Sequence, residues 1–205
     1  MGAFASQPEA KTTTVKGVTR NRQGQVVSCL FCRIAASSEV NELWYRDEHV
    51  SVFVPRTPAA RVHLLVVPRS HVSQDALRSA AELRANSALL GHMRAVALAQ
   101  LRVHGPRATA PLGSRAPPPA YAYERGDLPP AAGKAAITSD DDLERGGDSV
   151  DKQGVTLCFH RPPFNSIGHL HLPALAGPFS SCGDRVTFWQ GAPWTADIDD
   201  VLRRT

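Results

Sequence analysis

Long apolar runs are missing from this 205-residue chain. No stretch approaches the ~20 residues that a membrane-spanning helix needs, and no secretory apolar segment opens the sequence. A helical channel or transporter is therefore excluded. Charge of one sign is also scarce: 23 Lys and Arg stand against 19 Asp and Glu, for a net charge of +4. That excess favours polyanionic ligands such as nucleotides without demanding a nucleic-acid backbone. No concentrated basic face or added zinc finger is apparent, and nucleic acid is not expected as a partner. Cysteine is limited to Cys29, Cys32, Cys158 and Cys182. A tight Cys-x-x-Cys pair in a chain without a signal peptide points to metal or redox chemistry, not to a disulfide framework. A cytoplasmic or nuclear location is the matching expectation.

What is present fits a folded protein, with 42% hydrophobic and 20% charged residues. The length suits one domain plus extra segments. Residues 1–27 are polar and basic, with Lys11, Lys16, Arg20 and Arg22, and read as a disordered tail. Within it Gly2 and Ser6 match a short N-myristoylation pattern, and a transit peptide is an alternative reading. A single acyl chain holds a membrane only marginally, so no stable membrane association is expected. The domain is assigned to 28–205, interrupted at about 105–153 by a stretch rich in proline, alanine and aspartate that cannot build a packed core.

Leu43–Arg46 and Val50–Val54 read as short strands joined through Asp47 and Glu48. The apolar run 61–67 reads as a strand ended by Pro68. Ser79 and Glu82 have capping-box spacing. Beyond them Leu83, Leu90, Met93, Ala97 and Leu101 recur at helical intervals, predicting one long helix near 80–103 with these residues in the core. A further strand is expected at 155–159.

The most informative segment runs from Ser166 to Pro173 and contains His169-Leu-His-Leu172. Alternate side chains of a strand share a face, which puts His169 and His171 together, roughly 6–7 Å apart at Cα, with Leu170 and Leu172 turned into a core. Imidazole titrates nearest neutrality, and its free nitrogen attacks phosphorus or binds metal. Taken alone, the pair also fits two hydrogen-bonded surface residues.

Several blocks together resemble the histidine triad (HIT) superfamily, and within it the Hint branch. They are Cys29–Ile34 (Cys-Leu-Phe-Cys-Arg-Ile), Val66–His71 (Val-Val-Pro-Arg-Ser-His), Phe159–Ser166 (Phe-His-Arg-Pro-Pro-Phe-Asn-Ser) and the His169/His171 segment, with a weaker match at Trp194–Asp197. The resemblance implies an α+β fold, an antiparallel sheet packed with one long and one or more short helices, in a homodimer. It implies binding of a purine nucleotide and cleavage of adenosine 5′-phosphoramidates at the α-phosphate. His171 matches the nucleophile, Ser166 a phosphate hydrogen-bond donor, and Asn165 and His169 further nucleotide-site positions. Leu30, Phe31, Ile34 and Phe53 match the apolar base pocket; read without the family they are ordinary core residues. In zinc-bearing relatives the positions matching Cys29, Cys32, His71 and His169 hold the ion, and two thiolates with two imidazoles suit structural zinc. The alternative is a free dithiol with unrelated histidines.

Two positions depart from the pattern. Pro173 stands where the third motif histidine is usual, and it offers neither a side-chain donor nor an N–H. Losing one donor to a developing charge can cost roughly 10²–10³ in rate. Pro55 stands where an aspartate usually grips the ribose hydroxyls. The function reading is therefore a nucleoside phosphoramidase. Its alternatives are hydrolysis of another adenylate, such as adenylyl sulfate or an acyl-adenylate, and a catalytically weakened nucleotide-binding scaffold.

Overall fold

The computed structural model describes residues 12–36, 43–104 and 154–205. The expected insertion at 105–153 and the pattern at Gly2 lie outside those residues. Alternating and fully apolar segments assemble one six-stranded antiparallel sheet in the order β4-β5-β6-β8-β7-β9. Its strands are β4 (Leu43–Arg46), β5 (Val50–Phe53), β6 (Ala60–Pro68), β7 (Val155–His160), β8 (Leu172–Phe179) and β9 (Thr195–Asp197). The strands expected near 43–46, 50–54, 61–67 and 155–159 are all present. Fold class is thus α+β, as the sequence suggests.

Two faces of this sheet have different tasks. Val62, Leu64 and Val66 of β6 join Leu172 and Ala174 of β8 under α3 (Ser87–His104), whose Leu90, Met93, Ala97 and Leu101 complete the main core. The odd-numbered residues of β6 and β8 face the other way. There Leu65 and Val67 meet Phe53, Phe31, Cys29 and Val18 in a second cluster, while Leu175 meets Cys158 and Phe188 in a third. Central strands covered on both sides read as apolar runs, which is why 61–67 looks continuous.

The helix expected as one piece over 80–103 is two. A short α2 (Ala80–Ala85) begins where the Ser79 hydroxyl accepts the Glu82 N–H at 3.3 Å. It ends at Asn86, whose amide nitrogen donates back to the Glu82 carbonyl at 2.8 Å. Such a side-chain bond competes with helix continuation, and α3 starts afresh at Ser87.

The N-terminal reading needs correction. Where a disordered tail is expected through residue 27, the structure forms a second, three-stranded antiparallel sheet. It consists of β1 (Thr13–Val15), β2 (Val18–Arg20) and β3 (Val26–Cys29), and leads directly into α1 (Leu30–Ala36). Lys16 and Gly17 make its first turn at φ 49° and 69°, the two positive angles that match a hairpin's twist. The segment hides from composition because, of its strand residues, only Val18 and Cys29 are buried; the rest, Val15, Val26 and Val27 included, is exposed or half-buried. No helix among the described residues is long and apolar enough to cross a membrane.

Candidate active site and metal centre

Residues 166–168 form bends, and 169–171 run outside the regular ladders. An isolated bridge ties His169 to Ser73, the Leu170 N–H donates to the Val72 carbonyl at 2.7 Å, and regular pairing begins only at Leu172. The alternation nevertheless holds. Leu170 and Leu172 enter the main core, and the rings of His169 and His171 both meet Phe31 edge-on, at 6.1 and 5.3 Å.

His171 is 4% exposed. Its Nδ1–H donates to the His169 carbonyl at 2.8 Å, which assigns the proton to Nδ1 and leaves a lone pair on Nε2. No hydrogen bond occupies Nε2, and it is not among the sealed, unpartnered nitrogens, so it opens on the residue's remaining surface. Burial lowers the ring's pKa to about 4, partly opposed by that carbonyl bond and assisted by His160. A ring of this kind is uncharged and directional at neutral pH.

Gln74 locks the backbone beneath it. This glutamine is 1% exposed; its Oε1 accepts the His171 N–H at 3.2 Å and its Nε2 donates to the His160 carbonyl at 2.8 Å. It therefore joins the end of β7 to the residue carrying the free imidazole. Farther along the same face sits His63, whose Nδ1 accepts the Ala59 N–H at 3.0 Å. Its Nε2 is buried without a partner, and burial lowers its pKa to about 4. Phe188 packs between His63 and His160, at 5.2 and 4.9 Å.

Cys29, Cys32, His71 and His169 converge, with one ligand atom from each lying within 4.8 Å of the others. Cys29 ends β3, Cys32 lies in the first turn of α1, and His71 follows β6. The three sulfur–nitrogen contacts are 3.4, 3.4 and 3.5 Å. Zn–S and Zn–N bonds of ~2.3 and ~2.0 Å at a tetrahedral angle give an edge of about 3.6 Å, so the spacing fits a four-coordinate ion. His169 Nε2–H donates to the Pro68 carbonyl at 3.0 Å, which turns the Nδ1 lone pair toward both sulfurs in the manner of a supported metal ligand. Burial, followed by the hydrogen bond and charge of Cys29, raises the Cys32 thiol to about 12. A thiolate pair here requires a cation, and these four residues could hold one.

The phosphate-loop candidates divide. Ser166 is exposed, whereas Asn165 is 5% exposed and its amide is engaged. Its Nδ2 donates to the Ile167 carbonyl and its Oδ1 accepts from Lys16, both at 2.8 Å. Of the base-pocket candidates, Phe31 and Phe53 meet edge-on at 5.6 Å with Ile34 packed beside them. Leu30 is 41% exposed and stands outside that cluster. Pro173 is buried opposite Leu65, on the same face as His171. Pro55 is half-buried, and Arg56 is exposed.

Lys16, His63 and Gln74 were not singled out as site residues in the sequence. His63 had a readable signal, a polar residue inside an apolar run. Lys16 had a weaker one in its Lys-Gly turn, and Gln74 had none.

Residues 28–122 match the family described as scavenger mRNA decapping enzyme C-terminal binding. The chain is 28% identical over 181 residues to the adenosine 5′-monophosphoramidase HINT3 of Mus musculus, covering 86% of this chain and 81% of that one. It is 25% identical over 152 residues to the bifunctional adenosine 5′-phosphosulfate phosphorylase/adenylylsulfatase HINT4 of Arabidopsis thaliana, covering 74% and 72%. A solved histidine triad protein from Clostridium difficile aligns with a TM-score of 0.43 at 20% identity, covering 73% of this chain and 90% of that one.

Proposed function

This chain belongs to the histidine triad superfamily, in its Hint-like branch, and on that footing we propose that it hydrolyses adenosine 5′-phosphoramidates at the α-phosphate. One observation carries the reading: His171 is held neutral by burial, with Nδ1–H on the His169 carbonyl at 2.8 Å and Nε2 unoccupied. In the reaction Nε2 bonds to the α-phosphorus as the phosphorus–nitrogen bond breaks, and the departing amine takes up a proton. The positive charge gained by the ring is stabilised by the same carbonyl, which polarises Nδ1–H. Water then attacks the nucleotidyl-histidine, releasing AMP and restoring the free ring. Two easier displacements replace one difficult one. The Ser166 hydroxyl supports charge on the phosphoryl oxygens, and Phe31, Ile34 and Phe53 supply an apolar wall for the base.

Zinc is the ion proposed for Cys29, Cys32, His71 and His169. Its part would be structural: held by these four residues, it would tie β3, α1 and the turn after β6 to His169, two residues before His171. Homodimerisation belongs to the same reading, as does a nucleotide rather than a nucleic acid as substrate.

Pro173 and Pro55 favour a second reading, a nucleotide-binding protein with weakened chemistry. Hydrolysis of adenylyl sulfate or an acyl-adenylate would use the same ring with a different leaving group. The test is turnover of a fluorogenic adenosine phosphoramidate by pure protein and by His171→Ala. Turnover by the wild type that collapses in the variant is expected. Equal inactivity of both, with AMP still bound by the wild type, would sink the hydrolase reading and leave the binding protein.

A further inference from the structure

The N-terminal hairpin reaches the loop that carries Asn165 and Ser166, and it does so with a charge. Lys16 Nζ donates to the Asn165 Oδ1 at 2.8 Å and to the Pro163 carbonyl at 2.5 Å. The backbone is tied in as well: the Lys16 carbonyl accepts the Gly168 N–H at 2.8 Å, and the Gly17 carbonyl accepts the Leu30 N–H at 2.9 Å. Contact is close enough that a Cβ on Gly168 would lie 3.2 Å from Val18 Cγ2, and one on Gly17 3.1 Å from Ile167 Cδ1.

Three features indicate that Lys16 is more than a tether. It is the non-glycine residue with positive φ among the described residues, at 49°. A two-residue turn of this kind is most easily made by Asn-Gly or Gly-Gly, and a lysine there costs about 1 kcal/mol of backbone strain. Strain of that kind gathers where a side chain has a task. Second, no carboxylate among the described residues pairs with its ammonium; both of its partners are neutral oxygens. An ammonium has three donors, and two are used. Third, the Asn165 amide accepts from Lys16 at Oδ1 and spends one of its two N–H groups on the Ile167 carbonyl, so Asn165 positions the lysine. The side-chain donors left at this loop include the Ser166 hydroxyl, the second Asn165 N–H and the remaining Lys16 N–H.

We propose that Lys16 is a phosphate-binding residue. Its free N–H and its charge act on the nucleotide's phosphoryl oxygens beside Ser166, supplying from the N-terminal hairpin part of the donor strength that Pro173 cannot provide. The proposal rests on the nucleotide reading of this site and assigns its phosphate subsite.

The experiment measures affinity of the full chain for AMP and for adenosine, in the wild type, Lys16→Met and Lys16→Arg. One charge-assisted contact predicts AMP weakened about 10- to 100-fold in Lys16→Met. Adenosine, which lacks the phosphate, should change less than about twofold by the same reasoning, and Lys16→Arg should restore most AMP affinity. Log affinity for AMP should also fall less steeply with added salt in Lys16→Met. An unchanged AMP affinity in Lys16→Met overturns the proposal alone. Equal weakening of AMP and adenosine, together with a lower melting temperature, also overturns it, because Lys16 would then be a structural tie. A wild type that binds neither ligand overturns both this proposal and the nucleotide reading.

Discussion

Replacing Gln74 by leucine separates the support of the His171 ring from the ring itself. The two side chains have similar volume, so the change leaves no large cavity; it removes polarity. Two buried backbone groups lose their partners, the His171 N–H now held at 3.2 Å and the His160 carbonyl at 2.8 Å. Each stranded group costs about 1–3 kcal/mol, offset by roughly 1 kcal/mol from the added apolar surface. The net loss is about 1–5 kcal/mol. A domain of ordinary stability, about 5–15 kcal/mol, survives that and remains assayable. Urea denaturation with unchanged slope should show the lower midpoint, and kcat should fall with KM little altered, because His171 loses its lock while the base pocket keeps its wall. Gln74→Glu sharpens the test. Its carboxylate can still accept from His171 but faces the His160 carbonyl oxygen, so the protonated form is favoured and its folded-state pKa is raised. Relative to the parent, that variant should therefore be least destabilised at acid pH and lose ground as pH rises through the raised value. If Gln74→Leu costs less than about 0.5 kcal/mol and kcat is unchanged, or if Gln74→Glu behaves like the parent at every pH, the bridge is incidental.

Three further outcomes follow from the site. Burial keeps His171 neutral down to about pH 4, so the acid limb of kcat/KM should lie near that value, well below the ordinary histidine range; a limb between about pH 6 and 7 would contradict the buried, neutral ring. The same depression means that the unfolded chain takes up the proton first. The contribution of His171 to stability is thus fully present above about 6.5 and is lost as pH falls toward 4, which equilibrium unfolding across that range would reveal. Protein purified without chelator should carry about one zinc per chain, and Cys29→Ser or Cys32→Ser should lose both the metal and several degrees of melting temperature. A metal content near zero in the wild type would remove zinc from the account.

Much of the frame is legible because apolar spacing reports it directly. The runs at 50–53 and 60–68 and the stripe from Leu90 to Leu101 each bury one side or both, the run at 43–46 is half-buried, and periodicity records that. The metal group was approachable for another reason: a Cys-x-x-Cys pair constrains itself locally, and only His71 and His169 had to be brought in by the fold. Other features leave no such trace. The hairpin at 13–29 is stabilised by cross-strand bonds, such as the Thr14–Thr19 hydroxyl contact of 2.8 Å, and buries too little to show in hydropathy. The break at Asn86 depends on one side-chain amide finding the Glu82 carbonyl. Gln74 reads as a surface residue after a turn, and its burial follows from where β7 and β8 meet.

The strict alternation along 170–175 couples folding accuracy to chemistry. Sliding β8 by one position against β6 would carry His171 beneath α3 and push Leu172 out beside Phe31. A single misalignment would thus desolvate an imidazole among leucines and, in the same movement, erase the reactive surface. A molecule that has assembled its hydrophobic interior correctly has by that fact also oriented the His171 ring.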